Sequence, residues 1–200
     1  LINSGGFVWC RYDNIILIEN INVFEIKRFY AEIINQLYLN NIFKNCKNFS
    51  FIVSNYDEIR KQLNEQEIKN LHFILNSKFE HLNDRYRQIV LTISNHLMKT
   101  LLDKDNNKNI YYIDTDQIFY KNENNMKDII EEHFKDYKFE TKKYPVVIVV
   151  NKKRYVLMKN NKDVQIHGVP SRSIHEKLDN LINKGKDIIR RKQLDRILYE

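Results

Sequence analysis

Two carboxylates stand two residues apart in Tyr112-Ile113-Asp114-Thr115-Asp116, between Asn109-Ile110-Tyr111 and Ile118-Phe119-Tyr120. Apolar and aromatic residues on both sides predict two short strands, and the acidic triplet predicts the tight turn of a hairpin. Both carboxylates would emerge at that turn, where a divalent cation could sit. A hard cation such as Mg²⁺ takes oxygen ligands, usually one or two protein carboxylates completed by substrate phosphates. Asp and Thr are also ordinary turn residues, so a solvated turn satisfies the local pattern equally well.

Three other segments carry residue types that would complete such a site. Phe24-Glu25-Ile26-Lys27-Arg28-Phe29-Tyr30-Ala31 reads as a strand ending in a carboxylate and entering a helix. His72-Phe73-Ile74-Leu75-Asn76-Ser77-Lys78-Phe79 lies on a helical pattern. Lys152-Lys153-Arg154-Tyr155 opens a strand.

The elements that must position these residues follow from periodicity. Phe7 to Trp9 and Ile15 to Phe24 are β-rich, with Asp13-Asn14 as a turn between them. A turn at Glu25 leads to a helix over Lys27 to Leu39, and Asn40 to Asn48 reads as a polar loop. Tyr56 to Phe79 reads as one helix. Asn83-Asp84 caps another through Lys99, and Asp103 to Lys108 reads as a charged loop. After the acidic hairpin, Asn125 caps a helix over Met126 to Phe134. Val146 to Val150, Arg154 to Met158 and Val164 to His167 are strands. From Ser171 onward the pattern is helical, in two pieces broken at Gly185. Strands and helices without strict alternation predict an α+β fold.

Composition narrows the function classes. At 200 residues and 42% hydrophobic the chain can bury a core, and 30% charged residues predict solubility. A net charge of +7 suits a polyanionic partner, as it would any solvated basic face. Cys10 and Cys46 have no metal spacing and argue against a disulfide scaffold or a zinc site. The longest apolar run, Val146 to Val150, is far too short to span a bilayer, so no membrane partner is expected. No signal peptide is visible. The chain opens on Leu1 and stops in mid helical pattern, as expected of a fragment of a longer protein.

The four segments, in this order, resemble the palm of a family B DNA polymerase, of the kind carried by large DNA viruses, protein-primed elements and eukaryotic replicases. That family has Asp-x-x-Ser-Leu-Tyr-Pro-Ser, then Lys-x-x-x-Asn-Ser-x-Tyr-Gly, then Tyr-Gly-Asp-Thr-Asp-Ser, then a Lys-Lys-x-Tyr-type motif. Asn3-Ser4-Gly5-Gly6 is similar to its Tyr-x-Gly-Gly linker, and Ile166-His167-Gly168-Val169 to the strand before its thumb.

The resemblance implies DNA-directed DNA polymerisation by two metal ions about 3.5–4 Å apart. It assigns catalysis to Glu25, Asp114 and Asp116. The metals, two Mg²⁺ with Mn²⁺ able to substitute, would be held by Glu25, Asp116 and the main-chain carbonyl of Ile26. Arg28, Phe29, Tyr30, His72 and Asn76 would bind the nucleotide, with Tyr30 under the incoming sugar and His72 where the family has a Lys on the triphosphate. Phe79, Lys152, Lys153, Arg154 and Tyr155 would meet the primer-template. Arg60 and Lys61 would lie on the fingers. Lys184, Lys186, Arg190, Arg191 and Lys192 would face duplex DNA.

The implied architecture is an antiparallel sheet palm over 1–40 and 83–170, short helical fingers over 41–82, and the start of a thumb over 171–200. Partners would be primer-template DNA, deoxynucleoside triphosphates and replication accessory proteins, at an intracellular site of DNA replication. Several positions depart from the family pattern. Glu25 replaces Asp, Arg28 replaces Ser, Ala31 replaces Pro, and Glu80 replaces Gly. Ile113 and Gln117 flank the triplet where Gly and Ser are usual. These departures keep a second reading open: a polymerase-derived module that binds DNA or a replication partner without efficient catalysis.

Overall fold

The computed structural model describes residues 5–168 and 172–199. Asn3, Ser4, Val169 and Ser171, which the sequence reading used, lie outside them. The fold is α+β, as expected. One seven-stranded antiparallel sheet runs in the order β1-β3-β4-β2-β5-β6-β7. Its strands are β1 (Val8–Cys10), β2 (Ile16–Ile26), β3 (Ile110–Asp114), β4 (Gln117–Tyr120), β5 (Phe139–Asn151), β6 (Arg154–Met158) and β7 (Val164–His167).

Side chains alternate between the two faces of this sheet. On one face Phe24, Ile26, Ile113, Ile118 and Tyr120 pack under α1 (Phe29–Leu39), α5 (Asp84–Asp105) and α6 (Met126–His133). On the same face Val146, Ile148, Val156 and Met158 pack under α7 (His175–Leu198). The other face carries Val23, Tyr112, Phe119, Val147, Val149 and Tyr155.

The helices between β2 and β3 differ from the periodicity reading. The residues read as a loop from Asn40 to Asn48 end inside α2 (Lys47–Ser54). Its Ser50 hydroxyl donates to Asn35 Oδ1 at 2.5 Å, and Asn35 Nδ2 donates to Ser54 Oγ at 3.1 Å, so a buried polar bridge fixes α2 on α1. Tyr56 to Phe79 is two helices, α3 (Tyr56–Lys61) and α4 (Glu65–His81). A capping box divides them: Asn64 Oδ1 accepts from the Glu67 N–H and Glu67 Oε1 from the Asn64 N–H. That reciprocal pair starts a new helix where the apolar stripe alone shows no break.

Four boundaries also move. β2 continues through Glu25, read as a turn, to Ile26. α5 continues to Asp105, half-way through the expected loop, and the buried Asp105 carboxylate accepts the N–H groups of Asn109 and Ile110. Asn125 precedes α6 in a left-handed conformation, φ 57°, and its side chain makes no cap. α7 runs unbroken through Gly185, because the absent side chain serves packing. A Cβ there would lie 2.8 Å from Met158 Sδ and 3.1 Å from Val146 Cγ1.

Candidate active site

The extension of β2 places the first acid. Glu25 is paired across the sheet with Gln117, the residue after Asp116. The Ile26 N–H donates to the Asp116 carbonyl at 2.9 Å. Glu25, near the end of β2, and Asp116, in the turn before β4, therefore stand next to each other at one end of the sheet. Burial, followed by the Glu25 charge, pushes the Asp116 carboxyl up to about 6. Two carboxylates this close resist ionising together, and a cation between them removes the conflict.

The hairpin turn itself is tight. The Asp116 N–H donates to the Asp114 carbonyl at 2.6 Å, the i→i+2 bond of a γ-turn, and Thr115 sits at φ 54°. The N-terminal segment holds this strained turn from outside. Val8 pairs with Asp114, the Phe7 carbonyl accepts the Thr115 N–H at 2.8 Å, and a Cβ on Gly6 would overlap the Thr115 side chain.

Two lysines already attend the acids. Lys153 Nζ lies 2.5 Å from Asp114 Oδ1. Lys27 Nζ lies 3.5 Å from Glu25 and 2.8 Å from Glu140. Burial works to lower the Lys27 pKa, but the two carboxylates outweigh it and leave it raised.

A cleft of about 200 Å³ opens beside Asp116, lined by Arg28, Phe29, Tyr30, Ala31, Leu75, Asn76, Thr115 and Asp116. Four of the residues expected to bind nucleotide thus surround one space. Phe29 contributes little side chain to it, since its ring packs in the core against Phe134 and Tyr137. Tyr30 contacts Phe79 with ring centroids 4.7 Å apart. Burial, then the charges of Asp116, Asp114 and Glu80, raise the Tyr30 hydroxyl pKa. Glu80 therefore brings its negative charge into the field of the site.

His72 does not line the cleft. Its Nε2 is 2.6 Å from the Tyr56 hydroxyl. Arg28 lies over the same Tyr56 ring, 3.7 Å from its centroid.

On the opposite sheet face, Tyr155 is buried rather than free to reach a partner. Its hydroxyl donates to Gln117 Oε1 at 3.1 Å, and its ring stacks on His167. Burial first, then the charges of Asp114, Asp116 and Glu25, push that hydroxyl up to about 12. Tyr112 Oη accepts the Lys153 N–H at 2.8 Å and fixes the turn that carries Lys152 and Lys153. Lys152 is exposed and Arg154 half-buried.

Sequence reasoning missed Lys27, Tyr56, Tyr112 and Gln117 as members of the site. A lysine two residues after Glu25, within reach of its carboxylate, was the one available signal. Nothing local marks the others.

No group of three or more His, Cys, Asp and Glu gathers into a metal-holding cluster among the described residues. Glu25 and Asp116, both half-buried, offer hard carboxylate oxygens of the kind Mg²⁺ takes when phosphates supply the remaining ligands. No helix of the described residues is long and apolar enough to cross a membrane.

No protein-family model and no curated protein matches the chain in sequence. Among solved structures it is similar to the family B DNA polymerase from the hyperthermophilic archaeon Pyrobaculum calidifontis. The two share 12% identity with a TM-score of 0.64, over 98% of this chain and 34% of the polymerase chain. The chain thus spans about a third of that polymerase's length and has a polymerase-like fold.

Proposed function

We propose that this chain is the palm region of a DNA-directed DNA polymerase, with residues 41–82 as fingers and 171–200 as the start of a thumb. The observation that carries the reading is the Glu25–Asp116 pair at one end of the sheet, with Asp116 raised to about 6 beside the cleft.

Glu25, Asp116 and the Ile26 carbonyl would hold two Mg²⁺ ions, with Asp114 supporting. When bound, such ions lower the pKa of a primer 3′-OH and neutralise the triphosphate. The chain's own residues do the rest. Tyr30, braced by Phe79, forms a wall against which a deoxyribose packs and a 2′-OH would clash. Asn76 offers an amide to the nucleotide. Lys152 adds a sequence-independent attraction for the DNA backbone.

The test is primer extension by the full-length protein with Mg²⁺ or Mn²⁺, beside an Asp116→Asn control. Metal-dependent extension that the control lacks supports the reading, and no extension under either metal sinks it.

One set of contacts favours the second reading, a polymerase-derived binding module. The ammonium groups of Lys153 and Lys27 already neutralise Asp114 and Glu25, and Glu80 adds negative charge nearby. Under that reading the same assay gives DNA binding without extension.

A further inference from the structure

The end of the sheet away from the acids carries a second concentration of charge. A cleft of about 790 Å³ opens there, lined by Lys121, Lys143, Lys159 and Lys192. It lies between α7, which contributes Lys192, and the connection from β4 to α6, which contributes Lys121. Glu19, also in its wall, stands six residues up β2 from Glu25, about 20 Å along the strand. Local structure opens the space. β2 pairs with β5 at Glu19–Val146 and at Ile21–Tyr144 but not between them. There Asn20 is left-handed at φ 56°, and Pro145 has no N–H to give to a ladder.

The charges in this cleft do not cancel. Lys192 Nζ lies 3.4 Å from Glu19 and 3.0 Å from Asn20 Oδ1, so those two charges offset each other. Lys121, Lys143 and Lys159 take part in none of the ion pairs among the described residues, and Glu123 is the one other carboxylate in the wall. Four lysines against two glutamates leave the cleft at +2. Like charges gathered in one concave space repel, and an anion entering it relieves them.

Lys121 also joins the cleft to an aromatic edge. Its Nζ is 5.8 Å from the Tyr111 ring centroid. The Arg11 guanidinium lies over the same ring at 4.6 Å and over the Tyr12 ring at 5.8 Å. The Arg11 N–H donates to the Tyr111 carbonyl at 3.0 Å, which holds the chain after β1 against β3. Tyr12 is 48% exposed, and its ring centroid is 6.4 Å from that of Tyr111. Aromatic rings interleaved with cations, beside a basic cleft, are the combination that takes unpaired bases and their backbone.

We propose that this end of the sheet binds single-stranded nucleic acid, with Lys121, Lys143 and Lys159 on backbone phosphates and Tyr12 stacked on a base. The site lies apart from the Glu25–Asp116 pair, goes beyond the polymerase reading and stands without it. A duplex fits less well, because its bases stack on one another and leave no free face for Tyr12. An acidic peptide would use the lysines and leave the tyrosine idle.

Fluorescence anisotropy of a labelled oligothymidylate on the full-length protein, at several salt concentrations, tests this. The double variant Lys143→Gln/Lys159→Gln changes two exposed side chains outside any ion pair and keeps the fold. It should lower the slope of log affinity against log salt by about 1.4, or about 0.7 for each phosphate contact. Tyr12→Ala should weaken binding by about fivefold to tenfold and leave the slope unchanged. An oligothymidylate carrying one 5-iodouracil should crosslink under light to Tyr12 or Tyr111.

A wild-type slope in the double variant, or crosslinks confined to residues of the cleft beside Asp116, would overturn the proposal. Loss at the lysines with none at Tyr12 would show an anion site without base stacking and overturn the single-strand assignment.

Discussion

Lys153 Nζ lies 2.5 Å from Asp114 Oδ1, across the gap between the β5–β6 turn and the acidic hairpin. The lysine is mostly exposed and the aspartate mostly buried, so the pair is partly screened and its net worth is about 1 kcal/mol. Under the proposed polymerase reading, its consequence is for DNA binding. A charge already neutralised by Asp114 displaces fewer counterions than a free one. Lys152, next to it and exposed, has no such partner among the described ion pairs. Lys152→Ala should therefore reduce the slope of log affinity against log salt by about 1. Lys153→Ala should reduce it by less. Equal slopes for the two variants would contradict this division.

Asp116 should make the protein pH-sensitive. Its carboxyl moves from the ordinary 3.8 to about 6 on folding. Between those values the native state binds more protons than the unfolded state, so stability falls as pH rises through that window and stays low above it. The full effect is on the order of 3 kcal/mol. Asp116→Asn should raise Tm at pH 7 and flatten the dependence between pH 4 and 6. Mg²⁺ or Mn²⁺ should raise the wild-type Tm at pH 7 and leave the variant unmoved.

Gly6 should matter through the turn it covers. Adding a Cβ against Thr115 forces apart the N-terminal segment and a turn already at positive φ. Gly6→Ala should cost about 1–3 kcal/mol. It should also lose the metal-induced rise in Tm, because Asp116 hangs on that turn. A variant destabilised but still metal-responsive would separate the turn from the site.

Glu25 is the acid whose length departs from the family pattern. Its carboxylate is drawn to Lys27 at 3.5 Å. Glu25→Asp shortens the side chain by one methylene and withdraws it from that lysine. Misplacement by an ångström costs up to about a hundredfold in rate. Under the proposed polymerase reading, extension rate with Mg²⁺ should therefore rise in Glu25→Asp, and an unchanged or lower rate would show Glu25 adapted to its own position.

Gly185 tests the fold rather than the site. In an exposed helix Gly→Ala stabilises by roughly 0.5–1 kcal/mol. Here the new methyl meets Met158 and Val146, so Gly185→Ala should instead destabilise by about 1 kcal/mol, read as a lower midpoint in urea. Met158→Ala should restore part of the loss by emptying the space.

The α+β class, the strands and most helices were legible because apolar spacing is set by which face is buried. The division at Asn64 and the helix at Lys47 were not, since polar cap and bridge contacts leave the apolar stripe unchanged. The acidic hairpin was legible too, as two strands around a turn. The order of four segments resembling one family placed Glu25, Tyr30, Asn76 and Asp116 in a common site, and three of these, Tyr30, Asn76 and Asp116, line one cleft.

What the sequence by itself determined is the set of chemical groups and the local elements that carry them. Only the tertiary structure decided how those groups are shared. Glu25 comes next to the acidic turn because β2 pairs with β4, Glu25 opposite Gln117, across some ninety residues of intervening chain, a register that no local pattern encodes. Lys153 reaches Asp114, Tyr155 bonds Gln117, and His72 is engaged by Tyr56 for the same reason. Each contact joins residues distant in the chain, and its strength depends on burial and distance, which exist only once the sheet has closed.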